Sequence, residues 1–155
     1  MKTNKIYFDM DGTIADLYSV KGWLPMLRAE NPEPYAKACA LVNLSRLARS
    51  LNSLRANGVA VCVVSWGSKE SSDDYLKKVE HAKREWLAKH MPSVTWDEIH
   101  VLPYGTPKSC VKTKGAILFD DEIGNRQEWG TGAYNESEIF GVLNLVKKSL
   151  KRARV

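Results

Sequence analysis

The sequence predicts an α/β domain, Rossmann-like in plan, with a mainly parallel sheet flanked by helices and a small helical insertion. Three observations carry this. Short apolar runs rich in β-branched or aromatic residues recur at 5–8, 59–64 and 116–119. Each is continuous rather than alternating, the pattern of strands buried on both faces. Apolar stripes at helical spacing fill the intervals between and after these runs. At 155 residues, the chain has room for one ordinary domain, so 1–155 is expected to fold as a single unit.

Taken in order, the first strand is predicted at 5–8. Residues 16–43 hold more helical material than one crossover needs, and Pro25, Pro32 and Pro34 break it into pieces. This segment is expected to be a small helical cap. Leu44, Leu47, Leu51 and Leu54 mark a helix that Asn57-Gly58 ends, glycine tolerating positive φ. The second strand comes next, at 59–64. Tyr75, Val79, Ala82 and Trp86 mark a long helix, with Pro92 just beyond it. A weaker strand is expected at 99–102, the third strong one at 116–119, and a short edge strand near 131–134. Ile139, Leu143, Val146 and Leu150 mark the last helix, and Asn135 with Glu138 reads as its capping box.

Composition excludes several classes. Hydrophobic residues make up 44% and charged residues 26%, which rules out a disordered chain or a fibre. No apolar run approaches the length of a membrane span, and charges interrupt any signal-peptide core, so a cytoplasmic protein with no membrane partner is expected. Cys39, Cys62 and Cys110 form no C-x-x-C and are expected to be reduced, mostly buried thiols. His81, His90 and His100 share no ligand spacing. The formal charge is +5, and five basic residues with no acid fall in the last nine, so the rest of the chain is neutral. That tail suits a solvated helix end or a contact with phosphates.

The residues at the end of each strong strand are the informative ones. Asp9 and Asp11 come after the first within Asp9-Met10-Asp11-Gly12-Thr13, Ser65 after the second, and Asp120 and Asp121 after the third. In an open parallel sheet, ligands bind beyond the carboxyl ends of the strands. Four acids converging there require a cation, and oxygen ligands without His or Cys point to magnesium. Residues two apart at a strand end project to one side, so Asp9 and Asp11 can flank one reacting atom. One carboxylate can attack phosphorus and the other can act as acid and base. Phosphoryl oxygens need donors: the Ser65 hydroxyl, the backbone N–H of Trp66 and Gly67, and a lysine. Thr106-Pro107-Lys108 reads as N-cap, Pro at N1 and Lys in a first helical turn, which favours Lys108, with Lys112 and Lys114 as competitors. A calcium loop is excluded because its glycine and terminal glutamate positions are not matched. No P-loop and no G-x-G-x-x-G occurs.

Phe8-Asp9-Met10-Asp11-Gly12-Thr13, Val64-Ser65, Lys108 and Phe119-Asp120-Asp121 together resemble the four motifs of the haloacid dehalogenase-like (HAD) phosphatase superfamily. The resemblance spans nearly the whole chain. It implies an aspartyl-phosphate on Asp9, acid/base work by Asp11, and phosphate binding by Ser65 and Lys108. It also implies magnesium held by Asp9, the backbone carbonyl of Asp11 and the Asp120-Asp121 pair, either of which could be the direct ligand. Within the superfamily, Lys83-Arg84-Glu85-Trp86 and Arg126-Gln127-Glu128 look most similar to the 5'(3')-deoxyribonucleotidases. That likeness makes Lys83 a candidate substrate contact and a nucleotide the expected small phosphorylated substrate. The sequence departs from that group at Ser65-Trp66, where the group has Thr-Ser, and in a cap about half the usual length. Tyr18, Trp23, Tyr35 and Trp66 are candidates to stack on a base. The short cap and basic tail leave a phosphatase for nucleic-acid termini as an alternative, and a non-catalytic phosphate-binding module as another.

Overall fold

A computed structural model describes residues 2–154. Five strands form one parallel sheet: β1 (Lys5–Phe8), β4 (Ala60–Trp66), β5 (Glu98–Leu102), β6 (Ala116–Phe119) and β7 (Ala133–Tyr134), in the order β5-β4-β1-β6-β7. Two further strands, β2 (Ala15–Asp16) and β3 (Cys39–Ala40), pair antiparallel as a separate two-stranded ribbon. The register sets Phe8 beside Val63 on one side and Phe119 on the other, so β1, β4 and β6 end close to the same level.

Both faces of the sheet are buried, as the continuous apolar runs require. Ile6, Phe8, Val61, Val63, Ile117 and Phe119 pack on one face with leucines of α3 (Leu44–Ala56) and with Ile139, Leu143 and Val146 of α6 (Ile139–Arg152). Tyr7, Cys62, Val64 and Leu118 point the other way, toward Trp129 of α5 (Ile123–Trp129). The long helix α4 (Asp73–His90) is capped by Ser72, whose hydroxyl accepts from the Tyr75 N–H, with Asp73 and Asp74 in its first turn. Its stripe is buried as expected, and Gly58 takes φ +87 beyond α3. The Asn135–Glu138 capping box forms, but it caps a 3₁₀ turn, Glu136–Glu138, that leads into α6.

Residues between β2 and β3 fold as a 3₁₀ turn, Leu17–Ser19, and two short helices, α1 (Trp23–Arg28) and α2 (Glu33–Lys37). The ribbon closes the base of this segment, pairing Ala15 with Ala40 and Asp16 with Cys39. Trp86 of α4 donates its indole N–H to Ala38 O at 2.7 Å, and Glu30 accepts from both the backbone and the hydroxyl of Ser72. The segment is therefore tied to α4 and its N-cap at two points.

Two expectations need correction. Ser65 does not come after its strand but lies inside it, because β4 runs on to Trp66 by pairing with β5. Of the cysteines, only Cys62 is buried, and burial pushes its thiol up to about 12; Cys39 and Cys110 are exposed, and all three are free. Among the described residues, no helix is long and apolar enough to cross a membrane.

The outer strand β5 is fastened to the centre by a carboxylate. Glu98 accepts from Lys5 Nζ at 2.6 Å, the Tyr7 hydroxyl at 2.9 Å and His100 Nε2 at 2.8 Å. Partial burial pushes this carboxyl up, but the three hydrogen bonds outweigh it and hold it at about 2. A depressed carboxylate contributes stability above its unfolded value, near 4.3, and loses it as pH falls through the folded value. Glu98→Gln is expected to cost about 1 kcal/mol at pH 7. The difference from the wild type should close between about pH 4 and pH 2. Urea unfolding of both proteins across that range checks it, and a gap that widens on acidification would contradict it.

Candidate active site

The carboxyl ends of β1, β4 and β6 bring the predicted acids to one edge. Asp9 leaves β1 with its N–H on Phe119 O at 2.9 Å, which locks it against β6. The chain then turns tightly: Met10 O accepts from the N–H groups of Thr13, Ile14 and Ala15. Gly12 makes this turn possible, with φ +84. A Cβ there would stand 2.3 Å from Asp121 Oδ2, so glycine also lets the Asp121 carboxylate approach the loop.

Asp9, Asp120 and Asp121 each offer an oxygen, all within 4.8 Å of one another. The Lys108 ammonium sits against two of them, 2.8 Å from Asp9 Oδ1 and 2.6 Å from Asp120 Oδ2. Burial pulls the Lys108 amine down, but the two carboxylates outweigh it and raise it above its ordinary value. The Thr13 hydroxyl lies between Asp9 Oδ2 (3.0 Å) and Asp121 Oδ1 (3.3 Å) and accepts from the Asp121 N–H. Asp120, wholly buried, also accepts from the Glu122 N–H and from Asn125 Nδ2. Burial and then the charge of Asp9 push Asp120 up to about 6 and Asp121 up to about 8. One lysine does not neutralise three crowded carboxylates. Their hard oxygens, with no nitrogen or sulfur among them, fit a divalent cation such as magnesium.

Asp11 stands apart from this trio. Its carboxylate faces Lys83 of α4, with Lys83 Nζ 2.9 Å from Asp11 Oδ2. Burial pushes the Asp11 carboxyl above its ordinary value, and Lys83 offsets this only in part. Lys83 is not a solvated helix lysine: it is 1% exposed and also donates to Ser65 Oγ at 2.6 Å and to Trp66 O at 2.7 Å. With three acceptors satisfied, it lies behind Asp11 and does not line the cavity that opens over the acids. Direct substrate contact by Lys83 is therefore not what this arrangement provides. Ser65 likewise is fully buried, and its hydroxyl oxygen accepts from Lys83.

The lysine candidates separate cleanly. Lys112 donates to Trp129 O and Thr131 O, and Lys114 lies exposed before β6, which leaves Lys108 at the carboxylates. The expected helix start does not form. Lys108–Val111 is only a 3₁₀ turn, Pro107 is extended at ψ 119, and the Thr106 hydroxyl donates back to Pro103 O. What holds Lys108 in place is α5: Glu128 accepts from the backbone and the hydroxyl of Ser109. Arg126 donates to Asp120 O, so the Arg126-Gln127-Glu128 segment braces both Asp120 and the lysine turn.

The cavity, about 480 Å³ in volume, opens over Asp9, Asp11, Lys108 and Asp121. Its other walls come from α1, α2 and the Leu17–Ser19 turn on one side and the Trp66–Glu70 stretch with Tyr104 on the other. Two aromatic pairs face it: Tyr18 with Trp23, ring centroids 5.1 Å apart, and Trp66 with Tyr104, 4.9 Å apart. Tyr18 and Tyr104 are each about half exposed. The Trp66 indole N–H is committed to Thr106 O at 2.8 Å, and the Gly67 N–H donates to Leu102 O at 2.7 Å. The basic tail is remote: α6 starts at the carboxyl edge after β7 and runs 14 residues, about 21 Å, toward the opposite edge.

Thr13, Ser68, Tyr104, Asn125 and Glu128 are site or bracing residues to which the sequence alone assigns no role. Thr13 and Glu128 lie within motif segments, and Ser68 lies three residues past Ser65. Nothing local marks Tyr104 or Asn125.

No family model and no curated protein sequence matches the chain. Among solved structures it is similar to the D,D-heptose 1,7-bisphosphate phosphatase from Burkholderia thailandensis, with a TM-score of 0.49 and 14% identity, covering 81% of this chain and 70% of that one. The functional reading therefore stands on the site residues themselves.

Proposed function

We propose that this chain is a magnesium-dependent phosphomonoesterase of the HAD-like type, acting through an aspartyl-phosphate on a nucleotide. One observation carries the reading: Asp9, its two oxygens oriented by Lys108 and Thr13, faces a cavity beside the separately held Asp11. Asp9 attacks phosphorus, forming an O–P bond as the bond to the leaving oxygen breaks. Asp11, its carboxyl held above its ordinary value by burial, gives its proton to that leaving oxygen. Asp11 then takes a proton from water, whose oxygen attacks phosphorus, releasing phosphate and restoring Asp9. Lys108 holds positive charge beside the attacking carboxylate throughout. A cation held by Asp9, Asp120 and Asp121 would supply charge neutralisation for the phosphoryl oxygens.

The nucleotide reading rests on the cavity mouth. Tyr18, Leu24 and Tyr104 are among the few large hydrophobic side chains left exposed, and all three line it. Exposed aromatic faces at a pocket rim suit a planar base. The 5'(3')-deoxyribonucleotidase likeness of the Lys83 and Arg126 segments favours a deoxynucleoside monophosphate.

The deciding experiment is phosphate release from 5'- and 3'-mononucleotides, a generic aryl phosphate and phosphorylated oligonucleotides, with magnesium and with EDTA. Magnesium-dependent release favouring deoxymononucleotides is expected. Preference for oligonucleotide ends would replace the substrate, and no release from any would leave a binding module. Magnesium is also expected to raise the melting temperature. At a hundredfold excess over its Kd the gain is about 2.7 kcal/mol, or roughly 5–10 °C. Asp121→Asn should lose most of that shift, and an equal shift in both proteins would remove Asp121 from the metal site.

A further inference from the structure

Charge is spread unevenly over the helices. α3 and α6, 13 and 14 residues long, hold seven lysines and arginines and no acid, although Asp and Glu are 18 of the 155 residues. α4 shows the ordinary solvated pattern: Glu80 and Glu85 are interspersed with Lys77, Lys78 and Arg84, and Glu80 pairs with Arg84 at 3.5 Å. Of the seven basic residues, only Arg55 has a carboxylate partner among the described residues, Asp97 just before β5. The others are Arg46 and Arg49 on α3 and Lys147, Lys148, Lys151 and Arg152 on α6. All but the half-buried Lys147 are exposed.

The two helices meet, so these charges share one face. The Arg46 guanidinium sits 3.9 Å from the centre of the Phe140 ring, and Lys147 Nζ donates to Ser50 Oγ at 3.1 Å. A cleft of about 310 Å³ opens between the C-terminal ends of α3 and α6. Lys147, Lys151 and Arg154 line it with Ser53 and Asn57, and no acid does. The macrodipole accounts for cations at a helix C-terminus, such as Lys151 and Arg152. It does not account for Arg46, in the first turn of α3 where the dipole opposes it, or for Arg49 one turn on.

We propose that the α3–α6 face binds the phosphate backbone of a nucleic-acid duplex. Cations crowded without acids repel one another, and a polyanion relieves that repulsion while releasing its own counterions. A single strand is held by stacking bases on aromatic rings, but Phe140 is the one aromatic residue on these helices and Arg46 covers it. An anionic membrane needs an apolar stripe beside the charges. Here that stripe, Ile139, Leu143 and Val146, is buried on the sheet, and Leu145 is the one large hydrophobic residue exposed on either helix. α6 carries its lysines away from the carboxyl edge, so the face holds a duplex apart from the cavity over Asp9.

The test is fluorescence anisotropy with a labelled DNA duplex of roughly 20 base pairs, its ends unphosphorylated so that the cavity is not engaged. Binding is expected in about 50 mM salt and should weaken about a hundredfold by about 200 mM, as roughly four neutralised phosphates require. Lys148→Gln/Lys151→Gln/Arg152→Gln should weaken it at least about tenfold and flatten the salt dependence by about two to three charges. Arg49→Gln should weaken it about threefold. Lys77→Gln/Lys78→Gln/Lys89→Gln removes the same charge from the exposed side of α4 and should bind as the wild type does. Absence of duplex binding in low salt, equal losses in the two triple variants, or no loss in Arg49→Gln would each overturn the two-helix face. Tighter binding to a single strand of the same length, or to phosphatidylserine–phosphatidylcholine vesicles, would overturn the duplex as its occupant. Melting temperatures of the variants separate loss of charge from loss of the fold. Phosphate release from mononucleotides should be unchanged in the α6 variant, so the face and the phosphatase reading stand or fall separately.

Discussion

Asp9→Asn is expected to lower phosphate release at least a thousandfold while leaving the chain folded, an order of magnitude typical of removing a nucleophile. The substitution keeps the shape of the side chain, the backbone N–H held by the Phe119 carbonyl and one oxygen that can accept from Thr13, while its NH2 group cannot accept from Lys108. What it removes is the charge and the nucleophilic oxygen. The carboxylate sits at 8% side-chain exposure between Lys108 and Thr13, so no other group can take its place without moving the strand end. Asp11→Asn should fall by a smaller factor on esters with good leaving groups, because they need less protonation. Assays with an aryl phosphate and with a nucleotide, side by side, measure both. Full activity in Asp9→Asn would mean that the nucleophile is misassigned.

Lys108→Met is expected to cost about 3–5 kcal/mol of stability, which lowers the melting temperature by roughly 10 °C. Methionine keeps the unbranched side chain as far as Cε but brings no charge. Lys108 is 2% exposed, and its two partners, Asp9 and Asp120, are 8% and 0% exposed, so its loss strands two buried carboxylates beside Asp121. Adding Asp120→Asn in the same chain should recover part of the loss, since it removes one of the stranded charges. Lys112→Met provides the contrast. Its ammonium meets the carbonyls of Trp129 and Thr131 and the face of the Trp129 ring, with no carboxylate partner among the described residues, and its loss should cost about 1 kcal/mol. Urea unfolding of the wild type and these three variants decides the matter. A Lys108 variant no less stable than the Lys112 variant would mean that the buried ion pairs contribute nothing.

The central strands were legible because burial on both faces writes itself into sequence as unbroken apolar runs. Lys5–Phe8 and Ala116–Phe119 match the expected bounds. The end of β4 was not legible: Ser65 and Trp66 stay in the strand because β5 offers them hydrogen-bond partners, and a serine close before a glycine looks like a strand end from outside. Lys108 was legible through its neighbourhood, but for a reason that does not operate. It is the carboxylates and the Glu128 brace, rather than a helix start, that hold it.

The sequence by itself determined the α/β class and that Asp9, Asp11, Asp120 and Asp121 stand just beyond the ends of two central strands. Those come from short-range rules of period, run length and spacing. Only the tertiary structure decided which charges meet. Lys83 lies 72 residues from Asp11 and 18 from Ser65, yet its ammonium joins them behind the site. Ser68 lies 33 residues from Tyr35, yet their hydroxyls form one pair in the cavity wall. Such contacts depend on how α4 and the helical segment dock against the sheet. Docking is the sum of many weak contacts over distant parts of the chain, and no local pattern records it.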